Sequence, residues 1–215
     1  MATSGTTGTA RRHAPRPARD AATRKADAGV EANARLTGTT AAVLLVLFAI
    51  EGVTVLSVRS LLTAHVVIGM VLVPPVLVKI ASTSYRFVRY YTGAPAYRRK
   101  GPPSPALRAL GPLVVVLTLV VLASGIGLLY SPAGIRSPLF RIHQASFVLW
   151  FAVLAIHVLG HLKDTAKLAP RDLYWRTRRQ VTGASLRQWT VAASIGIGVL
   201  LASAVVSEVG VFLAR

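Results

Sequence analysis

Five stretches of this chain are apolar for about the length that crosses a bilayer, and nothing constrains its fold more. Leu36–Val58, Leu61–Ser82, Ala109–Tyr130, Ile142–Leu162 and Trp189–Leu213 each approach the ~20 residues that carry a helix across ~30 Å of hydrocarbon. Glu51 interrupts the first and Lys79 lies near the end of the second, yet both exceed the usual length of a buried helix in a soluble core. The expected fold is an all-α integral membrane protein: four helices over 36–165, a basic loop over 166–188, and a fifth transmembrane helix over 189–215. Residues 1–35, rich in Ala, Thr, Arg and Pro, are too polar to bury a core and read as a disordered basic arm. More than thirty polar residues precede the first apolar run, so the start does not read as a secretory signal peptide. No internal repeat is visible.

Charge then supplies topology. The chain carries 25 Lys+Arg against 7 Asp+Glu, a formal +18, which in a soluble protein would suggest nucleic-acid binding. A mean hydropathy of +0.55 argues for membrane spans instead. Seven basic residues fall in the arm (Arg11 to Arg35), seven between spans two and three (Lys79 to Arg108) and seven between spans four and five (Lys163 to Arg187). The other side holds Arg59, Arg136, Arg141 and Arg215. That asymmetry places the N-terminus in the cytoplasm and the C-terminus outside a plasma (inner) membrane. The partner it implies is the lipid bilayer, not nucleic acid. Tyr85, Tyr90, Tyr91, Tyr97, Tyr174 and Trp175 among the inner charges suit the headgroup layer, and the Arg/Tyr-rich loop from Tyr85 to Lys100 reads first as inner-face anchoring.

The chemistry available is narrow. With no cysteine, disulfides, Fe–S clusters, thiol catalysis and covalent c-type haem attachment are excluded. No Walker loop, HExxH or Ser–His–Asp arrangement is present, and Gly196-x-Gly198 lies in a helix with no preceding strand, so it is no nucleotide fingerprint. What remains is intramembrane histidine, costly in lipid and a functional candidate for that reason.

Capping chemistry sets depth. Ser60 reads as the cap of span two with Leu61 first in the helix, and Ser137-Pro138 as a cap followed by proline, so that span four begins at Pro138. His65 is then the fifth helical residue of its span and His143 the sixth of its own, both counted from the outside, which levels the two imidazoles. A single intramembrane histidine is often a packing residue, but a level pair on two helices is what axial ligation of a haem between helices requires. His157 lies 14 residues beyond His143, roughly 21 Å deeper and about 40° from its azimuth. His161 falls near the inner interface beside Lys163 and Asp164, where solvation accounts for it.

Other polar and small residues have less decided roles. Glu51, a little deeper than the histidine pair, could take protons from a quinol, bond a histidine Nδ1–H and fix its tautomer, or sit protonated on a backbone carbonyl. Gly69, Gly125 and Gly127 leave room for a haem face or a neighbouring helix. Pro74-Pro75 removes two backbone donors and is expected to kink span two.

Spans one to four resemble the bacterial membrane cytochrome b group that includes cytochrome b561 and the cytochrome b subunits of formate dehydrogenase and hydrogenase. The resemblance covers roughly residues 35–165. The inner-loop segment from Lys79 to Pro103 is similar to a shorter, actinobacterial-style branch. In that group one haem is held by a histidine early in the second helix and the first of two fourth-helix histidines 14 apart, which match His65, His143 and His157. The family's second haem takes a histidine near the start of the first helix. Here that stretch reads Ala34-Arg35-Leu36-Thr37-Gly38-Thr39-Thr40, with glycine where the histidine would stand. The inner haem is therefore absent, or held by an unusual ligand, or His157 has become a quinone or proton-handling group; one outer haem is the favoured reading.

The resemblance implies haem b, an electron-transfer subunit of an oxidoreductase rather than a stand-alone enzyme, and an exchange of electrons between membrane quinone (menaquinone or ubiquinone) and an extracytoplasmic redox partner. Such partners include molybdenum-dependent oxidoreductase subunits. The competing expectation is a haem-free multi-pass anchor or transporter with Glu51 and the histidines lining a path.

Overall fold

The computed structural model describes residues 16–101, 105–173 and 183–213, with side chains left out at 16, 106, 161–173 and 213. Every regular element among them is helical: α1 Arg16–Leu56, α2 Leu62–Tyr91, α3 Pro95–Lys100, α4 Pro105–Tyr130, α5 Ala133–Leu173 and α6 Ala184–Leu213. Five of these are long and apolar enough to cross a membrane. α1, α2, α4 and α5 surround a cavity, and no residue of α6 lines it, which makes the molecule a four-helix bundle with a fifth helix outside.

The helices overrun the apolar segments, chiefly at the basic end of the bundle. α1 is 41 residues long, about 62 Å against ~30 Å of hydrocarbon. Residues 16–35, expected to be part of a disordered arm, are thus helical; residues 1–15 lie outside the described part. Two causes are visible. The stretch is rich in alanine, the strongest helix former, and it extends a helix already nucleated in the span. It also has something to dock on: Val30 packs with Ala96 and Tyr97, Asp27 pairs with Arg99 at 2.7 Å, and Glu31 reaches Arg35 at 2.9 Å and Lys100 at 3.5 Å. Two of the chain's 7 acids thus hold α3 against the α1 extension.

Both expected caps are displaced. α2 begins one residue late, with Leu61 at the cap position and no side-chain cap; the Ser60 hydroxyl donates instead to Ser57 O at 3.1 Å, closing the five-residue turn between α1 and α2. α5 begins at Ala133, so Ser137-Pro138 lies inside its second turn. The reason is the α4–α5 connection of only Ser131 and Pro132, where Pro132 already terminates one helix and Ile135 N donates to Pro132 O.

The Pro74-Pro75 pair, where a kink was expected, does not end α2. Pro75 has no N–H for Val71 O, and that carbonyl is where α6 comes closest. A Cβ added to Gly198 would lie 2.5 Å from Val71 O and 2.8 Å from Val71 Cα. Gly198 therefore sits backbone to backbone on α2, the arrangement small residues permit in membranes, and Cα–H···O contact meets a carbonyl the helix itself leaves unpaired. Met70, Leu129, Ala202, Val205 and Val209 form the buried cluster that fixes α6 beyond this point.

Candidate functional site

The cavity lies toward the histidine end of the bundle. Its walls are Phe48, Glu51 and Val55 of α1, His65 to Leu72 of α2, Thr118 to Leu129 of α4, and His143, Phe147 and Trp150 of α5. Its volume is about 110 Å³ and it is partly open, smaller than the ~300–1,000 Å³ of ordinary ligand pockets. Its lining is apolar apart from Glu51, Thr118 and the two histidines, with Trp150 contributing its indole.

His65 and His143 face each other across it. Their ring centroids are 6.3 Å apart and the ring planes are inclined at 76°. His65 is the fourth residue of α2 and His143 the eleventh of α5, so the counts from the caps were off by one and by five while the imidazoles still meet. Depth is set by packing: α4 and α5 form a tight antiparallel hairpin, and Gly125 lies beside His143. A Cβ on Gly125 would be 3.0 Å from His143 Cε1. The other two glycines also mark close approaches, Gly127 to Leu139 and Gly69 to Glu51.

Each imidazole is held through Nδ1 by the neighbouring helix. His65 Nδ1–H donates to Glu51 Oε1 at 2.9 Å, with Thr54 Oγ1 at 3.1 Å from the same nitrogen; the Thr54 hydroxyl in turn contacts Glu51 O at 2.6 Å and Oε2 at 3.2 Å. His143 Nδ1–H donates to Val121 O at 3.1 Å, with Ser124 Oγ equally distant. A carbonyl and a carboxylate are acceptors only, so both demand the proton on Nδ1. Both Nε2 atoms are left with an in-plane lone pair, and among the described residues no hydrogen bond engages either of them. Of the three uses open to Glu51, the geometry selects the bond to a histidine Nδ1–H.

The cavity floor is built from Trp150. Its Nε1–H donates to Thr118 Oγ1 at 2.8 Å, the Thr118 hydroxyl donates to Val114 O at 2.7 Å, and Phe48 meets the indole edge-on with centroids 5.1 Å apart. Thr54, Thr118, Val121, Ser124 and Trp150 had not been singled out from sequence. A polar residue three positions from Glu51, and another adjacent to Gly125, were signals that could have found Thr54 and Ser124.

His157 is two heptads deeper on α5 and does not line the cavity. The His161 side chain lies outside the described residues. In the stretch Arg35–Thr40, where the resemblance places a histidine, Thr39 and Thr40 are fully buried and α1 is bonded to α2. Asn33 Nδ2 donates to Ser82 O at 3.1 Å, Thr37 Oγ1 to Ser82 Oγ at 3.0 Å, and Lys79 Nζ to Thr37 O at 3.0 Å.

A family model described as prokaryotic cytochrome b561 matches residues 13–173, which takes in all four helices around the cavity. No curated protein and no solved structure matches the chain.

Proposed function

The chain belongs to the prokaryotic cytochrome b561 family and is a b-type cytochrome of membrane electron transfer; from that premise we propose that His65 and His143 would hold a single haem b. The observation that carries the reading is the pair of imidazoles across the cavity, with centroids 6.3 Å apart and each held through Nδ1 by a neighbouring helix. The donor set fits the group: two imidazoles, each with its Nδ1 satisfied by a carboxylate or a backbone carbonyl, as bound histidines characteristically are.

When bound, the haem supplies one-electron chemistry. The chain's residues orient and tune it. Glu51 and Val121 O fix ring direction and tautomer, and the Glu51 carboxylate adds electron density to His65. Phe48, Phe147, Leu129 and the Trp150 floor exclude water, while Gly69 and Gly125 keep side chains out of the space between the rings. Commitment of Glu51 to His65 also favours this reading over a solute path, in which that carboxylate would face a lumen. A single haem is supported by the hydrogen-bonded α1–α2 contact over Asn33–Thr40, which occupies the place where a first-helix ligand would stand.

In this reading the basic end is cytoplasmic and the histidine end faces outward, from the 21-to-4 distribution of Lys and Arg. Electrons pass between membrane quinone and an oxidoreductase partner outside the cytoplasm. The decisive test is the absorption spectrum of the purified protein. A Soret band and a dithionite-sharpened α-band that vanish in His65→Ala and in His143→Ala are expected, with pyridine haemochrome giving about one haem per chain. A colourless, folded protein from haem-replete cells sinks the proposal, and two haems per chain sinks the single-site form of it.

A further inference from the structure

At the histidine end, away from the cavity, α4 finishes at Tyr130, α5 starts at Ala133 and α6 finishes at Leu213. A notch between them is lined by Leu128, Ala133, Arg136, Ser137, Phe140 and Phe212. Arg136 is one of only four basic residues on this side of the chain, and the only one of Arg59, Arg136 and Arg141 that is not fully exposed. Its guanidinium lies over the Phe212 ring, 4.8 Å from the centroid, and its Nε is buried with no hydrogen-bond partner. Among the described residues no carboxylate comes within 4.0 Å of it; Glu208, one turn back on α6, is not in range. A guanidinium stacked on a ring, with no carboxylate in range among the described residues, has its Nη–H donors left for an anionic acceptor.

We infer that this notch binds the phosphate of an anionic phospholipid. Three span ends converge on it, which puts it at the depth of the headgroup layer. The Phe212 ring under the guanidinium restrains its plane, so that its two Nη–H edges form the fork that matches phosphate oxygens bidentately. Ser137, displaced from the capping role its sequence suggested, offers an exposed hydroxyl on the next residue. Phe140 is half exposed one turn deeper on the same face of α5 and, with Leu128, gives an apolar wall where the glycerol and first methylenes of a lipid would lie. A free phosphate would leave that wall unused. A net negative headgroup fits because, among the described residues, no carboxylate lies within 4.0 Å of the guanidinium.

The test uses holoprotein in detergent, as wild type, Arg136→Gln and Arg136→Lys, exposed to phosphatidylglycerol, phosphatidylcholine or inorganic phosphate. Bound lipid is counted by native mass spectrometry, and folding is followed independently by far-UV circular dichroism. Wild type is expected to retain one phosphatidylglycerol that Arg136→Gln loses by about 5- to 10-fold, the scale of one basic residue at a membrane surface. Arg136→Lys, which keeps charge without the fork, falls between them and carries the comparison if the glutamine variant misfolds. Phosphatidylcholine is retained weakly, and millimolar inorganic phosphate does not displace the lipid. Equal phosphatidylglycerol retention by variants and wild type overturns the inference. So does equal retention of phosphatidylcholine, or displacement by inorganic phosphate, which makes the notch a free-anion site.

Discussion

Replacing Gly125 by alanine adds one methyl group directly beside a proposed haem ligand, and a neighbouring glycine provides its own control. The new Cβ would stand 3.0 Å from His143 Cε1, about 0.4 Å short of the 3.4 Å at which ordinary contact begins. The ring cannot simply turn away, because Nδ1 is already 3.1 Å from both Val121 O and Ser124 Oγ. A shift of 0.4 Å takes those bonds to about 3.5 Å, the limit of useful hydrogen bonding. Weakening them costs on the order of 1–1.5 kcal/mol, which is roughly a 5- to 12-fold loss of haem retention. At Gly127 the same substitution meets Leu139 Cδ2 at 3.2 Å, the end of a flexible side chain that yields cheaply. Both variants gain the same alanine propensity within one helix, so their difference isolates the effect on His143. The assay is the haem-to-protein ratio by pyridine haemochrome after incubation with apomyoglobin as a haem acceptor. Equal retention by Gly125→Ala and Gly127→Ala refutes the claim that Gly125 is small because His143 must lie against it.

Three further outcomes follow from the same geometry. Glu51→Gln preserves shape but removes the charge at His65 Nδ1, so the haem should stay bound while its midpoint potential rises in a redox titration; an unchanged potential rejects the tuning role. Gly198→Leu should part α6 from α2 at Val71 and lower the detergent melting temperature, by about 1–3 kcal/mol of overpacking, with the visible spectrum unaltered because α6 does not line the cavity. Val30→Asp should release the α1 extension to protease, whereas Asp27→Asn alone should barely change cleavage, because an exposed ion pair contributes only about 0–1 kcal/mol.

The legible and illegible parts of this fold divide along physical lines. Hydrocarbon thickness sets a minimum length for every span, so five apolar runs were enough for the number of candidate spans and the fold class. Helix ends were not legible in the same way. Ser60 and Ser137 both look like caps, yet Ser60 serves the α1–α2 turn and Ser137 lies within α5, since a two-residue connection leaves α5 nowhere else to begin. The polar stretch at 16–35 read as an arm because its stabilisation is non-local: Arg99, Lys100 and Tyr97, some seventy residues away, supply the surface it docks on. Gly198 was read only as failing to be a nucleotide motif, because its significance depends on Pro75 in another helix leaving Val71 O unpaired. Lys79 was visible as a charge in a span, but its carbonyl acceptor at Thr37 is a tertiary contact no spacing rule contains.

The site itself shows why the histidine pair was readable despite mistaken counting. Neither imidazole is oriented by its own helix. His65 of α2 is fixed by Glu51 of α1, and His143 of α5 by Val121 of α4, so each proposed ligand depends on the docking of an antiparallel neighbour joined to it by a short connection. In such hairpins, residues a few positions before and after the turn are level by construction, wherever the first helical residue falls. Glu51 and His65 lie five and three residues from the helix ends that flank Ser57–Leu61, and Val121 and His143 lie nine and ten residues from those that flank Ser131-Pro132. The depth match therefore comes from two turns rather than two caps. It follows that disturbing α1 against α2, or α4 against α5, should release haem before the bundle unfolds, whereas disturbing α6 should reduce stability with the haem retained. The Gly125→Ala and Gly198→Leu variants sample one case of each, and the order in which their haem absorbance and helicity are lost on heating distinguishes the two kinds of helix contact.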